Sequence, residues 1–378
     1  MTTTAITAGA DALEMRWPDG RLTRYPYIWL RDSCPSGFHP QTQERTLDLL
    51  AIDPEPKPVS AQAADGVVTI EWAGDGHVSR FPLAWLAARR PGERLEDPAA
   101  IAPAPWRAEL SASGIRRHRA AAILADDGAV EVWLTDTARD GITIVEGISE
   151  DPGAGVAIAE RVGFIRKTYF GLAFEVVNKP DPNNLAFTAA KLPLHIDLPH
   201  EEVLPGFQFL HCIANEAVGG GSVFADGYAI ARDLRAEEPE AFRLLTEIDV
   251  PFRFHDMGAD IRTHAPVIKL NRSGDPVEIR YNAHIAAVFD MPADLMPAYY
   301  RAYRAFMART RQSEYLVTLK LAAGEMVVFD NRRILHGRDA FDPNTGFRHL
   351  RGCYVDRGEF DSRLRVLARR RKAACEAA

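Results

Sequence analysis

Apolar and polar positions alternate most clearly at Val67-Val68-Thr69-Ile70-Glu71-Trp72, and a period of two predicts a β-strand with one buried face. Around it, residues 12–85 read as short strands punctuated by turn signals, Asp19-Gly20 and Asp65-Gly66 above all. Pro54, Pro56 and Pro58 interrupt the middle of the run. The pattern predicts a small, mostly β N-terminal domain over residues 1–95. Residues 90–105 carry Pro91, Pro98, Pro103 and Pro105 among Gly and Ala and read as a linker or a strap at the domain edge. A larger domain is expected over 96–378.

In that larger part the period changes repeatedly. Residues 106–124 read as helix, Asp126-Asp127-Gly128 as a turn and 130–134 as a strand. Ile158, Val162 and Ile165 recur at helical spacing. Strand character returns at 170–177 and 206–213, and Gly219-Gly220-Gly221 is a turn feeding a strand that runs to Asp226. Helices are expected at 228–235, 239–246 and 297–311. Strands are expected at 267–270, 277–282, 315–320, 326–330 and 348–355, and a basic helix at 363–378. Many short strands with helices gathered at intervals point to a mainly β fold, a double-sheet barrel carrying helices, and not to alternating βαβ units.

A chain of 378 residues accommodates such a pair of domains. A hydrophobic content of 47% and a charged content of 26% place it among soluble globular proteins. A net charge of −7 argues against a nucleic-acid or anionic-membrane partner. Cys34, Cys212, Cys353 and Cys375 form no C-x-x-C pair, as expected in a reducing cytosol. The first ten residues lack a basic and an apolar region, and no apolar run reaches the roughly 18 residues of a membrane span. A cytoplasmic protein is expected.

The candidate chemistry centres on Lys191-Leu192-Pro193-Leu194-His195-Ile196-Asp197-Leu198-Pro199. On an extended segment His195 and Asp197 share a face and can offer two ligands to one ion. The third candidate, His336, follows the strand expected at 326–330. Two histidines and a carboxylate leave open positions on the metal, the pattern of non-haem Fe(II) oxygenases. A dicarboxylate co-substrate would need one fixed guanidinium, for which Arg348 is the candidate, and a neighbouring hydroxyl, for which Ser222 is the candidate. The bland alternatives are a loop histidine beside an unrelated carboxylate, a surface ion pair at Arg348 and a small residue after three glycines.

Several motifs occur in order: Gly171, Asn184-Leu185-Ala186-Phe187-Thr188, the His195 segment, Pro205-Gly206-Phe207-Gln208-Phe209-Leu210-His211-Cys212, Gly219-Gly220-Gly221-Ser222 and Phe329-Asp330-Asn331-Arg332-Arg333-Ile334-Leu335-His336-Gly337-Arg338. Together with Tyr27-Ile28-Trp29-Leu30-Arg31-Asp32-Ser33-Cys34-Pro35, Asp75-Gly76-His77-Val78-Ser79 and Trp85-Leu86, they make the chain resemble, over nearly its whole length, the γ-butyrobetaine dioxygenase branch of the taurine dioxygenase superfamily. The resemblance implies a double-stranded β-helix (jelly-roll) catalytic domain and a homodimer. It implies Fe(II) on His195, Asp197 and His336, and 2-oxoglutarate on the iron and Arg348 in a pocket that includes Ser222 and Leu210. It also implies an aromatic cage of Phe170, Phe174, Phe187 and Tyr354 around a trimethylammonium group, with Asn184 at the substrate's anionic end. Tyr281, with Asn282 beside it, stands where the family has an asparagine. The accessory domain's zinc ligands fall at Cys34, Ser36, His39 and His77, and a serine hydroxyl is a poor zinc ligand, so structural zinc is not expected. His211, His284 and His349 are expected to support the liganding histidines and not to ligate. The leading expectation is hydroxylation of γ-butyrobetaine to carnitine. Trimethyllysine, a trimethylammonio-phosphonate or another small acid are alternative substrates, and a metal-binding sensor without turnover is the alternative of another class.

Overall fold

The two-residue signal Asp65-Gly66 does what its backbone freedom allows: both residues take positive φ, +50° and +76°, and close a tight hairpin. The hairpin joins β4 (Pro58–Ala64) to β5 (Val67–Trp72), and β6 (Val78–Pro82) completes an antiparallel sheet. A second three-stranded sheet contains β1 (Ala5–Ala8), β2 (Ala12–Arg16) and β3 (Leu22–Pro26). Val68, Ile70 and Trp72 point inward with Leu13, Tyr25, Phe81 and Leu86, and the short helices α1 (Tyr27–Asp32) and α2 (Leu83–Ala87) follow their sheets. These elements form one of the two compact units, Met1–Asp97; Pro98–Ala378 form the other. The computed structural model describes residues 5–178 and 188–377.

The larger unit begins with α3 (Leu110–Ser113), β7 (Arg117–Arg119), α4 (Ala120–Ala125), α5 (Asp127–Asp140), β8 (Ile142–Glu146), α6 (Ala154–Glu160) and β9 (Phe174–Val177). It continues with β10 (Leu192–His195), β11 (Phe207–Asn215), β12 (Val218–Gly219), β13 (Ser222–Asp226), α7 (Gly227–Glu237) and α8 (Pro239–Glu247). Then come β14 (Val250–His255), β15 (Asp260–Ala265), β16 (Ile268–Leu270), β17 (Pro276–Ile279), α9 (Met296–Arg309) and β18 (Val317–Leu319). It closes with β19 (Glu325–Asp330), β20 (Ile334–Arg338), β21 (Phe341–Asp342), β22 (Arg348–Val355) and α10 (Arg357–Ala377).

Two sheets dominate: a six-stranded one in the order β7-β8-β19-β11-β22-β9 and a four-stranded one in the order β10-β20-β13-β18. Phe224, Val317 and Ile334 of the smaller sheet pack with Cys212, Val327, Phe329 and Leu350 of the larger, so an apolar layer lies between them. The outer face of the larger sheet is covered by α4, α5, α6 and α10, and that of the smaller by α7, α8 and α9. Strands with buried residues on both faces account for runs such as Met326-Val327-Val328-Phe329.

Two expectations are corrected. Residues 130–134 are helix, inside α5. Asp126 caps that helix by accepting the Ala129 N–H at 2.7 Å, and Gly141, at φ +75°, ends it. Val130, Trp133, Leu134 and Thr137 form its buried stripe. Residues 106–124 are not one helix, because Gly114 at φ +81° ends α3 before β7 begins. The proline-rich run is tied down at its end. Ala104 accepts from the Arg333 guanidinium at 2.8 Å and donates to the Arg139 carbonyl at 2.8 Å, and the Trp106 N–H donates to Asp226 at 3.1 Å.

Candidate active site

β10 and β20 pair so that His195 and His336 are directly opposed. Side chains alternate along β20, so Ile334, which joins the layer between the sheets, shares its face with His336 and Arg338. The two imidazoles therefore meet in that space, ring centres 4.3 Å apart. Asp197 lies past the end of β10, where Leu198 takes a left-handed φ of +55°. Its Oδ1 stands 3.2 Å from His195 Nε2 and 3.5 Å from His336 Nε2. Among the described residues this is the one group of three metal-ligating side chains whose donor atoms all lie within 4.8 Å of one another.

The surroundings prepare each donor. His195 Nδ1 is 2.8 Å from the Pro193 carbonyl, so Nδ1 carries the proton and Nε2 presents its lone pair. Burial, and then the neighbouring His195, hold His336 below the usual histidine range. Burial opposes ionisation of Asp197, but His336 and His195 outweigh it and hold the carboxyl well below the usual range. Tyr354 donates to Asp197 Oδ2 at 2.7 Å, which leaves Oδ1 facing the imidazoles. Two imidazole nitrogens and a carboxylate oxygen converging on one point fit a ferrous ion.

The triad opens into a pocket walled by Tyr169, Phe170, Phe174, Leu192, Leu198 and Tyr354. Phe174 stacks on Tyr354 at 5.2 Å, and Phe170 lies 6.2 Å from Phe174. Gly352 makes this stack possible, since a Cβ there would lie 2.3 Å from the Phe174 ring. Phe170, Phe174 and Tyr354 are thus brought together beside the triad, whereas Asn184 and Phe187 lie outside the described residues. Tyr281 is turned away: its ring packs 5.5 Å from Tyr303 and 5.0 Å from Phe306. Asn282 lines the pocket instead, with Nδ2 donating to the Ile196 carbonyl at 3.2 Å.

Arg348 faces the same side of β22 as Tyr354 and is only 6% exposed. No carboxylate pairs with it among the described residues. Burial, and then Arg338 nearby, push its guanidinium down to about 10. Gly220, at φ +69°, approaches so closely that a Cβ would meet Arg348 Nε at 3.1 Å. Ser222 is buried two residues further on, paired with Arg338 across β13 and β20. Leu210 faces the inter-sheet layer, opposite Gly352. A buried cation with no carboxylate partner among the described residues suits the far carboxylate of a dicarboxylic acid.

The other histidines separate. His284 lines the pocket, its ring 5.2 Å from His195. His349 pairs with Glu175 at 2.6 Å, and His211 packs beneath Gly155 of α6, so neither reaches the triad. In the smaller unit Cys34 Sγ lies 3.2 Å from Ser36 Oγ and 3.3 Å from His77 Nε2. His39 instead accepts the Thr42 N–H at 3.2 Å. Tyr169, which stacks on Phe254 at 4.5 Å, and Asn331 were not singled out from sequence. A second aromatic before Phe170 was the available signal for the first.

His200, 0% exposed, is packed 5.7 Å from Tyr169 and 5.3 Å from Phe254, and among the described residues neither ring nitrogen has a hydrogen-bond partner. Burial lowers it from 6.5 to about 4. Between those values the unfolded chain takes up a proton that the folded chain refuses. Stability present above pH 6.5 is therefore lost as the pH falls towards 4. His200→Phe is expected to flatten the decline in melting temperature between about pH 7 and pH 5; an unchanged slope would refute this.

Residues 106–354 match the model of the taurine catabolism dioxygenase TauD, TfdA family, and residues 5–87 that of the gamma-butyrobetaine hydroxylase-like N-terminal region. The gamma-butyrobetaine dioxygenase of Pseudomonas sp. (strain AK-1) is 43% identical over 95% of this chain and 94% of its own length. That of Homo sapiens is 31% identical over 96% of each. The mitochondrial trimethyllysine dioxygenase of Gallus gallus is 29% identical, covering 94% of this chain and 86% of its own. Among solved structures, non-heme iron oxygenase OrfP with Fe and alpha-ketoglutaric acid is alike in fold, with a TM-score of 0.50 at 14% identity over 64% of this chain and 94% of that one. With the triad, the family match and the identities to these relatives define a dioxygenase. The chain belongs to the TauD/TfdA dioxygenase family, with a gamma-butyrobetaine hydroxylase-like N-terminal unit.

Proposed function

We propose that this enzyme hydroxylates γ-butyrobetaine to carnitine. The observation that carries the reading is the wall of aromatic faces at Phe170, Phe174 and Tyr354 directly beside the triad. A trimethylammonium group has no N–H to donate and is held by π faces. His195, Asp197 and His336 hold the ferrous ion, and Arg348 grips the distal carboxylate of 2-oxoglutarate, with Ser222 and Leu210 lining that end. With O₂ and 2-oxoglutarate, the bound iron supplies the oxidising power to hydroxylate an unactivated C–H bond. The protein's share is placement. Tyr354 keeps Asp197 turned to the metal while its ring forms part of the cage, and Phe170 and Phe174 exclude water and hold the cationic end at a fixed distance.

The test is substrate-dependent succinate formation across a panel of γ-butyrobetaine, trimethyllysine, trimethylammonio-phosphonates and uncharged acids of similar length, with the product identified by mass. Turnover fastest on an uncharged acid would overturn the cage. Phe174→Ala is expected to raise KM for γ-butyrobetaine about tenfold, the scale of one desolvated cation–π contact, with a much smaller effect on KM for 2-oxoglutarate. Trimethyllysine is the second reading, favoured by the 29% identity to a trimethyllysine dioxygenase. The family resemblance also supports a double-stranded β-helix for the paired sheets and a homodimer; sedimentation of the purified chain tests the dimer.

A further inference from the structure

Asn331 lies in the turn between β19 and β20 and is fully buried. Its side-chain amide grips the backbone of a single residue at two points. The Asp197 N–H donates to Asn331 Oδ1 at 3.0 Å, and Asn331 Nδ2 donates to the Asp197 carbonyl at 3.1 Å. Its own N–H donates to the Gly206 carbonyl at 2.9 Å. An amide that satisfies the N–H and the C=O of one residue acts like a rung of an antiparallel ladder and fixes the peptides on both sides.

Asp197 is a place where such fixing matters. β10 has ended at His195, and Leu198 is in a left-handed conformation that a branched side chain keeps only when its surroundings hold it. The neighbouring Ile196 is secured from the other side, its N–H donating to the Tyr281 carbonyl at 2.8 Å and its carbonyl accepting from Asn282. The turn that carries Asn331 leads straight into β20 and His336. One side chain therefore ties the backbone of the second ligand to the strand of the third.

We infer that Asn331 is a positioning residue for the metal centre: it sets the direction from which Asp197 Oδ1 meets the two imidazoles. The inference rests on reading His195, Asp197 and His336 as the metal site. Only a residue offering an acceptor and a donor side by side meets both backbone groups, so leucine loses both contacts and serine keeps at most one.

Mn(II) titrated into the full-length metal-free chain, followed by the paramagnetic signal of the free ion well below the melting temperature, tests this directly. The parent is expected to bind one ion, and His195→Ala to lose it. Asn331→Leu is expected to bind Mn(II) about 10- to 100-fold more weakly, the usual loss when a group that orients a ligand is removed. Thr137→Val, which removes a buried hydrogen bond in α5, is expected to lower the melting temperature and leave Mn(II) affinity unchanged. Binding by folded Asn331→Leu within twofold of the parent overturns the inference. If that variant does not fold, Asn331→Ser carries the same test, with a loss of about tenfold expected and the same threshold for failure. A parent that does not bind Mn(II), or binds it equally after His195→Ala, removes the metal-site reading itself, an outcome distinct from the failure of Asn331 alone.

Discussion

Arg348→Met is expected to raise the 2-oxoglutarate concentration needed for half-maximal turnover by a hundredfold or more, while the metal-free protein melts no lower than the parent. Both effects come from one fact: a guanidinium 6% exposed, with no carboxylate beside it among the described residues. Loss of one partner from a buried, hydrogen-bonded charge pair costs about 2–5 kcal/mol, and about 2.7 kcal/mol is already a hundredfold. Without the co-substrate the same charge is uncompensated, and an apolar chain of similar length is neutral or stabilising there. Arg348→Lys should recover only part of the affinity, because an ammonium cannot present two parallel donors to a carboxylate. Turnover at varied 2-oxoglutarate, with thermal melting of the metal-free variants, checks the pair of outcomes. A half-saturating concentration within threefold of the parent would move the carboxylate grip elsewhere.

Asp226→Ala is expected to lower the melting temperature by about 10 °C, since breaking a buried ion pair costs about 3–5 kcal/mol and each kcal/mol shifts a large domain by about 2–4 °C. Asp226 and Arg333 are 0% and 1% exposed at their side chains and meet at 2.7 Å. The carboxylate also accepts the N–H of Tyr228 at the start of α7 and of Trp106, and the guanidinium donates to the carbonyls of Ala104 and Arg139. Removal of the acid leaves an unpaired cation and two unsatisfied backbone donors, those of Tyr228 and Trp106, in one buried spot. Replacing both partners with apolar residues should restore part of the loss. Thermal unfolding followed by circular dichroism decides it, and a shift under about 2 °C would show that the network contributes little.

The triad was legible because its parts sit in local patterns: a histidine and a carboxylate two residues apart on an extended run, and a second histidine just past an apolar strand. The hairpin at Asp65-Gly66 was legible for a similar reason, since two residues suffice to specify the turn. α5 was misread because Asp-Asp-Gly serves equally as a hairpin turn and as a helix N-terminus, and five apolar-rich residues fit either period. Tyr281 and Asn282 show another limit. β17 ends at Ile279, and beyond a strand end alternation no longer says which neighbour faces the pocket. Asn331 had no sequence signal of its own; its role depends on a partner 134 residues away. The buried ion pair of Asp226 and Arg333 was hidden in the same way, because pairing across distant strands leaves no periodic trace.

Because Ala104 and Trp106 are bonded into the larger unit, the stretch just before residue 107 is anchored to that unit and is not a spacer. Anyone splicing the smaller unit of one relative onto the larger unit of another should therefore place the crossover at 97/98. A join at 106/107 would pair an imported tryptophan and carbonyl with a host arginine and aspartate that did not evolve alongside them.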